Sequence, residues 1–553
     1  MTAAAPHHTE TEGTAISKPS IARSTALMST VTMMSRITGF LRIWATAFAL
    51  GATGLMSAYS IANNIPNMIF ELVAGGIIAA LFIPSLMEVR EHGGESAEWR
   101  FASHVFNLAV IALGALAVVG IIWPELFIWT QTFRATGAQS ADVVAAATVF
   151  FRYFAIQVVL YGAGSVISGL LNSRRKYFWP AVGPVFNNLL AIATMLAFVA
   201  LRSNLQLATT VLAVGTTLSV VLMFAVQVPA LLKCGVKYTF GIGLHDPMVR
   251  RMLRLAVPTV IYVLTNLVAV SFRNASALAV SDKGVSVLAY AWVFYQLPYG
   301  ILAVALATAV FTELSDAAGK RDWVDFKNTF ARGLRITGIL MLPTSALLIA
   351  LANPLISLYR VGAFKQEDVP LVAGALRWWA LGLVFYAGTM YVLRAFYSLK
   401  DTVTPMWVNL ATTAVQVSLY VLLSTGVGSW AGFGINGMPI ADVVFFTITF
   451  VALALMLRRR IGGFDVSGIA WLYVRIAIAS AISAGIIYAL ALLTDPYVDG
   501  FGGAALQVAV GGTLGLAIAL ALGRLFGVAE VSAVLALLSK VVARINPLKK
   551  ERT

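Results

Sequence analysis

Apolar positions along this chain run in long unbroken blocks and do not alternate with polar ones. Fourteen blocks approach the length needed to cross a membrane, near 27–50, 54–88, 102–129, 143–171, 179–201, 206–232, 252–278, 284–315, 329–357, 370–396, 404–426, 432–457, 466–493 and 502–527. A helix needs about 20 apolar residues to span the hydrocarbon core, and an open sheet cannot pair its backbone groups in lipid, so each block is predicted to be a helix. A β-barrel is excluded, since its strands would show period-two alternation. The fold class is therefore all-α: a polytopic membrane protein with about 14 transmembrane helices.

A faint internal repeat organises these helices. Tyr161, Ser173, Arg175 and Pro180 return 225 residues later as Tyr386, Ser398, Lys400 and Pro405, and the Ile65-Pro66 step returns as Leu297-Pro298. The matches fall at equivalent places in a six-helix count. Six is even, so the pattern predicts two six-helix lobes in a parallel pseudo-repeat, with two C-terminal helices added. The expected organisation is a disordered cytosolic tail over 1–24, an N-lobe over 25–235, a C-lobe over 250–460, a helix pair over 466–527, and an amphipathic helix with a basic tail over 528–553. In that last segment Val534, Leu537, Leu538, Val541, Val542 and Ile545 recur at helical spacing opposite Lys540 and Arg544, a pattern suited to the membrane surface.

Composition narrows the class further. Of 553 residues, 59% are hydrophobic and 11% charged; a soluble surface carries roughly 25% charged residues. A string of soluble domains is excluded. The single cysteine, Cys234, allows no internal disulfide, and the five histidines are scattered, so neither a disulfide framework nor a metal site is expected. No cofactor is expected either. The first 24 residues lack the apolar core of a secretory signal, so the first apolar block is expected to stay in the mature protein. The net charge of +15 gathers in alternate loops, at positions such as Arg90, Arg174, Arg175, Lys233, Lys237, Arg250, Lys320, Lys400 and Arg458 to Arg460. By the positive-inside rule those loops and both termini are expected to be cytoplasmic.

Charges inside the blocks ask for a reason, because each costs at least roughly 2.5–3.5 kcal/mol at mid-membrane. Block 1 carries Arg36 and Arg42. Six residues turn a helix by about 600°, which leaves the two about 120° apart and about 9 Å along the axis. Both suit a cationic site for a phosphate, or alternatively snorkelling or pairing with Glu71. Block 2 is polar and broken: Asn63, Asn64 and Asn67 flank Pro66, and Gly75 and Gly76 follow. Discontinuous helices of this kind commonly border transport sites. Pro66, Gly75, Gly76, Pro298 and Gly300 are candidate hinges. Arg273 shares a helical face with Asn266, seven residues earlier. Arg152, Arg377, Arg394 and Arg475 are expected to snorkel, and Asp442 to act as a helix cap in preference to a cation site. No P-loop, GxSxG or HExxH motif is present, so a carrier is expected and not an enzyme.

Several motifs carry a family resemblance: MMSRITGFLR, IPN, FIPSLMEVRE, LLNSRRKYFWPAVGP, LPYGILAVALAT, LYRVGAFKQED and FYSLKDTVTP, in that order. Together they resemble the MurJ (MviN) lipid II flippases of the multidrug/oligosaccharidyl-lipid/polysaccharide exporter superfamily. The resemblance implies two lobes around a central cavity, a terminal helix pair bordering a lipid-tail groove, and a place in the bacterial plasma membrane. It also implies that lipid II, a polyprenyl-pyrophosphate-linked peptidoglycan precursor, crosses from the inner to the outer leaflet, with Arg36 and Arg42 binding pyrophosphate. The chain departs from the family at Ser57, Phe70, Glu71 and Val293, where many members carry an acid or arginines. The implied partners are the lipid-linked precursor, membrane lipids and cell-wall synthesis proteins, with no nucleic acid. The substrate-binding set expected is Arg36, Arg42, Arg273, Asn63, Asn64, Asn67 and Glu71. A membrane potential or a coupling ion is an available driving force, at about 2.3 kcal/mol per charge per 100 mV. The alternatives are an exporter of another polyprenyl-linked saccharide or of a drug, and a scaffold for wall synthesis that no longer transports.

Overall fold

The computed structural model describes residues 18–71, 73, 81–495 and 500–532. Among these the regular elements are all helices, and no β-strand forms. The helices are α1 (Lys18–Leu50), α2 (Gly54–Phe70), α3 (Ile83–Ile122), α4 (Pro124–Thr132), α5 (Ala138–Ser173), α6 (Phe178–Ala200), α7 (Leu205–Ala225), α8 (Val228–Leu232), α9 (Pro247–Val280) and α10 (Gly284–Pro298). After a π-helical turn over Tyr299–Ala303 follow α11 (Val304–Lys320), α12 (Trp323–Ala350), α13 (Ala352–Ser357), α14 (Val369–Leu381), α15 (Leu383–Ser398), α16 (Val403–Thr425), α17 (Gly437–Ile461), α18 (Val466–Thr494) and α19 (Gly500–Leu525).

Eleven helices among the described residues are long and apolar enough to cross a membrane, and twelve if the pair bent by 47° at Gly382 counts as one span. Helices α1, which carries Lys18, Arg23, Arg36 and Arg42, and α2, only 17 residues long, lie outside that set. The total is consistent with about fourteen. Three boundaries differ from expectation. Helix α1 begins at Lys18, so residues 18–24 are helical and not a disordered tail. Within block 2, α2 stops at Phe70 and α3 starts at Ile83; beyond the block α3 breaks at Gly94, whose φ of 73° and ψ of −173° are not helical. The chain runs helically through Pro66; the departure from α geometry comes later, at Glu71 and Val73, which adopt a π-helical turn. Gly75 and Gly76, two of the candidate hinges, lie outside the described residues, as does most of the C-terminal segment, 533–553.

The first group of helices packs α1 on α6, α6 on α7, and α5 on α2, α3 and α7; the second packs α16 on α9 and α17, α15 on α11 and α17, and α12 on α15. Helix α18 lies along α12 and α19. The repeat is visible in backbone detail. Ser173 and Ser398 each donate a hydroxyl hydrogen bond three residues back, to Leu170 O (2.8 Å) and Ala395 O (2.7 Å). Arg175 and Lys400 both take the left-handed conformation at φ 58°, which only three non-glycine residues adopt among those described. The same strained turn, costing about 1–2 kcal/mol for an L-residue, ends α5 and α15. Pro298, the counterpart of Pro66, likewise precedes π geometry.

At one end the two lobes are packed shut. Ala363 donates its N–H to Phe48 O (3.0 Å), Tyr290 OH donates to Gly51 O (3.1 Å), Ser286 N–H donates to Ser57 Oγ (3.1 Å), and Lys283 Nζ meets Asp368 Oδ1 at 3.1 Å within the C-lobe wall. Arg134, just past the end of α4, donates to Ser276 and Ser424, and Asn274 donates to Gln131 in a buried bond (2.6 Å). Gly51 has φ +61°, and a Cβ there would lie 2.3 Å from Ala363 O. Gly51→Ala is therefore expected to lower stability by about 1–2 kcal/mol from backbone strain alone and to loosen this seal, measurable as a reduced melting temperature.

At the opposite, basic end, Asp465 caps α18 by accepting from Gly468 N–H (2.8 Å) and pairs with Arg335 (2.7 Å). The Gly468 N–H, then Ser467 and Arg335, hold its carboxyl below the usual range. A depressed folded-state value means the stabilisation is present above the ordinary aspartate value of about 3.9 and is lost as pH falls through the lower folded value. Asp465→Asn is expected to lower the melting temperature at pH 7, with the difference closing in acid.

Candidate functional site between the lobes

A cavity of about 670 Å³ separates the lobes and extends from Met56 and Val285, below the seal, toward Glu71, Pro405 and Leu453 near the basic end. Helices α1 and α2 form one wall. Helix α2 presents Asn63, Asn64 and Asn67 with Tyr59 and Ser60, because residues spaced three and four apart share a helical face. Asn67 is held by Tyr161 OH, which donates to its Oδ1 at 3.1 Å. Asn63 and Asn64 make no side-chain hydrogen bond to another described residue, and stand ready to bond a polar ligand. Glu71 lines the basic-end mouth and forms no ion pair with a described residue, so the alternative reading of Arg36 or Arg42 paired with Glu71 is not what the structure shows.

The two arginines of α1 part company. Arg42 lines the cavity; its only polar side-chain partner among the described residues is Asn187 Oδ1, at a long 3.4 Å. Arg36 does not line it: the side chain is exposed between Met33 and Ile37, which are also exposed. The 120° separation calculated for the pair puts one on the cavity and the other beside it. Arg36 is therefore not part of the cavity set as expected.

The C-lobe wall is built differently. Arg273 faces the cavity with Asn266 and Asn274. Its guanidinium lies 4.0 Å from Asp442 and 5.4 Å from the Trp292 ring centroid, while its Nε is buried without a partner. Asp442 is 2% exposed and sits inside α17, whose N-cap is Asn436. It is not the helix cap expected. It accepts from Trp379 Nε1 and Gln416 Nε2, both at 2.7 Å, and from Tyr420 OH. Three donors and the charge of Arg273 thus converge on one buried carboxylate, as burial of such a charge requires. Gln416 and Tyr420, four residues apart on α16, and Trp379 went unremarked in the sequence; an acid within an apolar block was the signal available. Around this node Trp292, Tyr295, Trp379, Tyr386 and Phe446 form a continuous aromatic cluster. Because Asp442 offsets Arg273, Arg42 is the lining arginine left without a carboxylate partner.

Of the remaining hinge candidates, Pro66 is buried in α2, Pro298 precedes the π-turn that joins α10 to α11, and Gly300 lies within it. Nothing lies within 4 Å of a Cβ built on Gly300. Gln296 lines the cavity one turn before it. Arg394 lies over the Phe311 ring and Arg475 over Trp471, with Arg475 also donating to Phe526 O.

Residues 46–504 match the family model described as Lipid II flippase MurJ. The chain belongs to this family. It is 28% identical over 482 residues to the lipid II flippase MurJ of Burkholderia cenocepacia, covering 86% of this chain and 90% of that one. It is 29% identical over 485 residues to the probable lipid II flippase MurJ of Rhizobium meliloti, covering 85% and 86%. Among solved structures, a lipid II flippase MurJ in an inward closed conformation superposes with a TM-score of 0.74 at 23% identity, over 90% of this chain and 99% of that one. An inward-facing multidrug resistance MATE family transporter of the MOP superfamily reaches 0.65 at 17% identity, over 79% and 98%. The two-lobed fold is thus the one shared by MurJ and MATE proteins.

Proposed function

We propose that this chain moves lipid II from the inner to the outer leaflet of the bacterial plasma membrane by alternating access. The observation that carries the reading is a cavity closed at one end between two lobes, lined by a carboxylate-free arginine and a row of carboxamides, in a member of the MurJ family. Arg42 binds the pyrophosphate, for which a planar guanidinium offers paired donors. Asn63, Asn64 and Asn67 bond the sugar or peptide, Glu71 marks the mouth, and Arg273 acts through its pair with Asp442. Arg36, outside the cavity, meets the headgroup on its way in. The lobes over 25–235 and 250–460 rock about the cavity, bending at Pro66, Pro298 and Gly300, while the pair over 466–527 borders the lipid tail. The basic end faces the cytoplasm with both termini, by the positive-inside rule. The seal therefore closes the outer side.

The reading is tested with purified protein in proteoliposomes loaded with fluorescent lipid II, by following the fraction reached by a membrane-impermeant quencher. Protein-dependent movement under an imposed potential or ion gradient is expected. Folded protein that moves no lipid II under any gradient would overturn the reading.

A further inference from the structure

The segment joining α8 to α9, residues 233–246, is the covalent link between the lobes, and none of the transport roles above uses it. It has no regular secondary structure, yet it is firmly held. Asn107 of α3 donates to the carbonyls of Thr239 (3.2 Å) and Gly241 (2.8 Å), Thr239 N–H donates to Ser103 Oγ (3.1 Å), and Tyr238 OH donates to Asn107 Oδ1 (2.7 Å). His104 lies 3.7 Å from Asp246. Gly243, at φ +62°, passes so close to His104 that a Cβ would come within 2.3 Å of its ring. The linker is fastened to α3 along its length.

Three of its exposed side chains are apolar. Phe240 is 94% exposed, and Ile242 and Leu244, at alternate positions beyond it, are exposed as well. Gly241 and Gly243, both at positive φ, separate the three, which form an exposed apolar row on an irregular stretch and not a strand face. Positive charge flanks them in sequence: between 231 and 254 the chain has Lys233, Lys237, Arg250, Arg251 and Arg254 against a single acid, Asp246, with Arg251 paired to Glu88 of α3. The height of the row is fixed by α3. Ser103, which accepts from Thr239 N–H, is 19 residues from the helix's other end at Ile122, or about 28 Å at 1.5 Å per residue, against a hydrocarbon core of about 30 Å. The linker therefore runs at the level where lipid headgroups meet acyl chains, and an apolar row flanked by cations fits an anionic leaflet.

We propose that the inter-lobe linker is a membrane-surface anchor that inserts Phe240, Ile242 and Leu244 at the headgroup boundary of an anionic leaflet. The linker is bonded to α3 through Tyr238, Thr239 and Gly241, and to the start of α9 through Leu244 O, which accepts from Arg250 Nε (2.7 Å), so the anchor ties the junction of the two lobes to the headgroups.

The unique cysteine makes the test direct. In a Cys234→Ser background, spin labels are placed at Phe240→Cys and, as an aqueous control on the same linker, at His245→Cys, with the full chain in nanodiscs containing or lacking phosphatidylglycerol. The expected result is that the label at 240 collides several-fold more with oxygen than with a water-soluble nickel relaxer in anionic discs, at a depth of roughly 5–10 Å, while the label at 245 shows the reverse. Adding Lys233→Gln and Lys237→Gln should make position 240 more accessible to nickel. Equal nickel access at 240 and 245 in anionic discs would overturn the proposal, and would be the outcome if the row served a protein partner absent from the discs. Identical shielding with and without anionic lipid would overturn its charge component.

Discussion

Arg42→Ala is expected to abolish lipid II transport in proteoliposomes while leaving the melting temperature close to that of the parent. The guanidinium lines the cavity and is committed to no carboxylate, only to a 3.4 Å contact with Asn187, so its removal strands no buried partner charge. Losing one partner of a desolvated, charge-assisted contact costs roughly 2–5 kcal/mol. That is more than an order of magnitude in affinity for a pyrophosphate. Arg42→Lys should restore part of the activity, since an ammonium supplies charge without the paired donor geometry. Arg36→Ala should retain most of the transport, because Arg36 is exposed outside the cavity. A folded Arg42→Ala protein that transports at the parental rate would remove pyrophosphate binding from this residue.

The second large effect falls on the C-lobe. Asp442→Ala leaves the donors of Trp379, Gln416 and Tyr420 and the charge of Arg273 facing nothing. Breaking a buried pair by removing one partner destabilises by roughly 3–5 kcal/mol, more than removing both partners. Asp442→Ala should therefore lower the melting temperature sharply, and Arg273→Ala/Asp442→Ala should recover part of that loss. The cycle has a second readout. If Arg273 acts in transport as well as in folding, the double variant regains stability without regaining lipid II movement. Parental stability in Asp442→Ala would show that the three donors and Arg273 do not depend on the carboxylate.

Much of the fold was legible because the bilayer makes such plain demands. Long apolar blocks have one workable conformation in lipid, and the repeat showed through Ser173, Arg175, Ser398 and Lys400, whose turn geometry is the same in both halves. The cavity wall on α2 was also readable, since three asparagines in one helix need a polar outlet. Two things were not. Helical arithmetic gave the angle between Arg36 and Arg42 but not the direction of the cavity, which depends on how α1 packs against α6. The role of Asp442 depends on Trp379, Gln416, Tyr420 and Arg273, contributed by three other helices, and no local pattern encodes their convergence. The break in block 2 was placed at Pro66, yet the departure came several residues later at Glu71, because a proline disturbs hydrogen bonding without fixing where the helix relaxes.

The closed end of the molecule carries one more implication. Four of its fastenings end on main-chain carbonyls: Phe48 and Gly51 O across the lobes, Leu358 O bonded by Trp44, and Leu278 O bonded by Ser140. Every residue type has a carbonyl, so mutation at the accepting positions leaves those acceptors in place. The stopper that this end forms is thus tolerant of drift at the accepting positions, apart from sites such as Gly51 and Gly362, where a side chain would collide with backbone. Surveys that rank positions by their side chains would pass over such a closure, although the whole cycle turns on opening it.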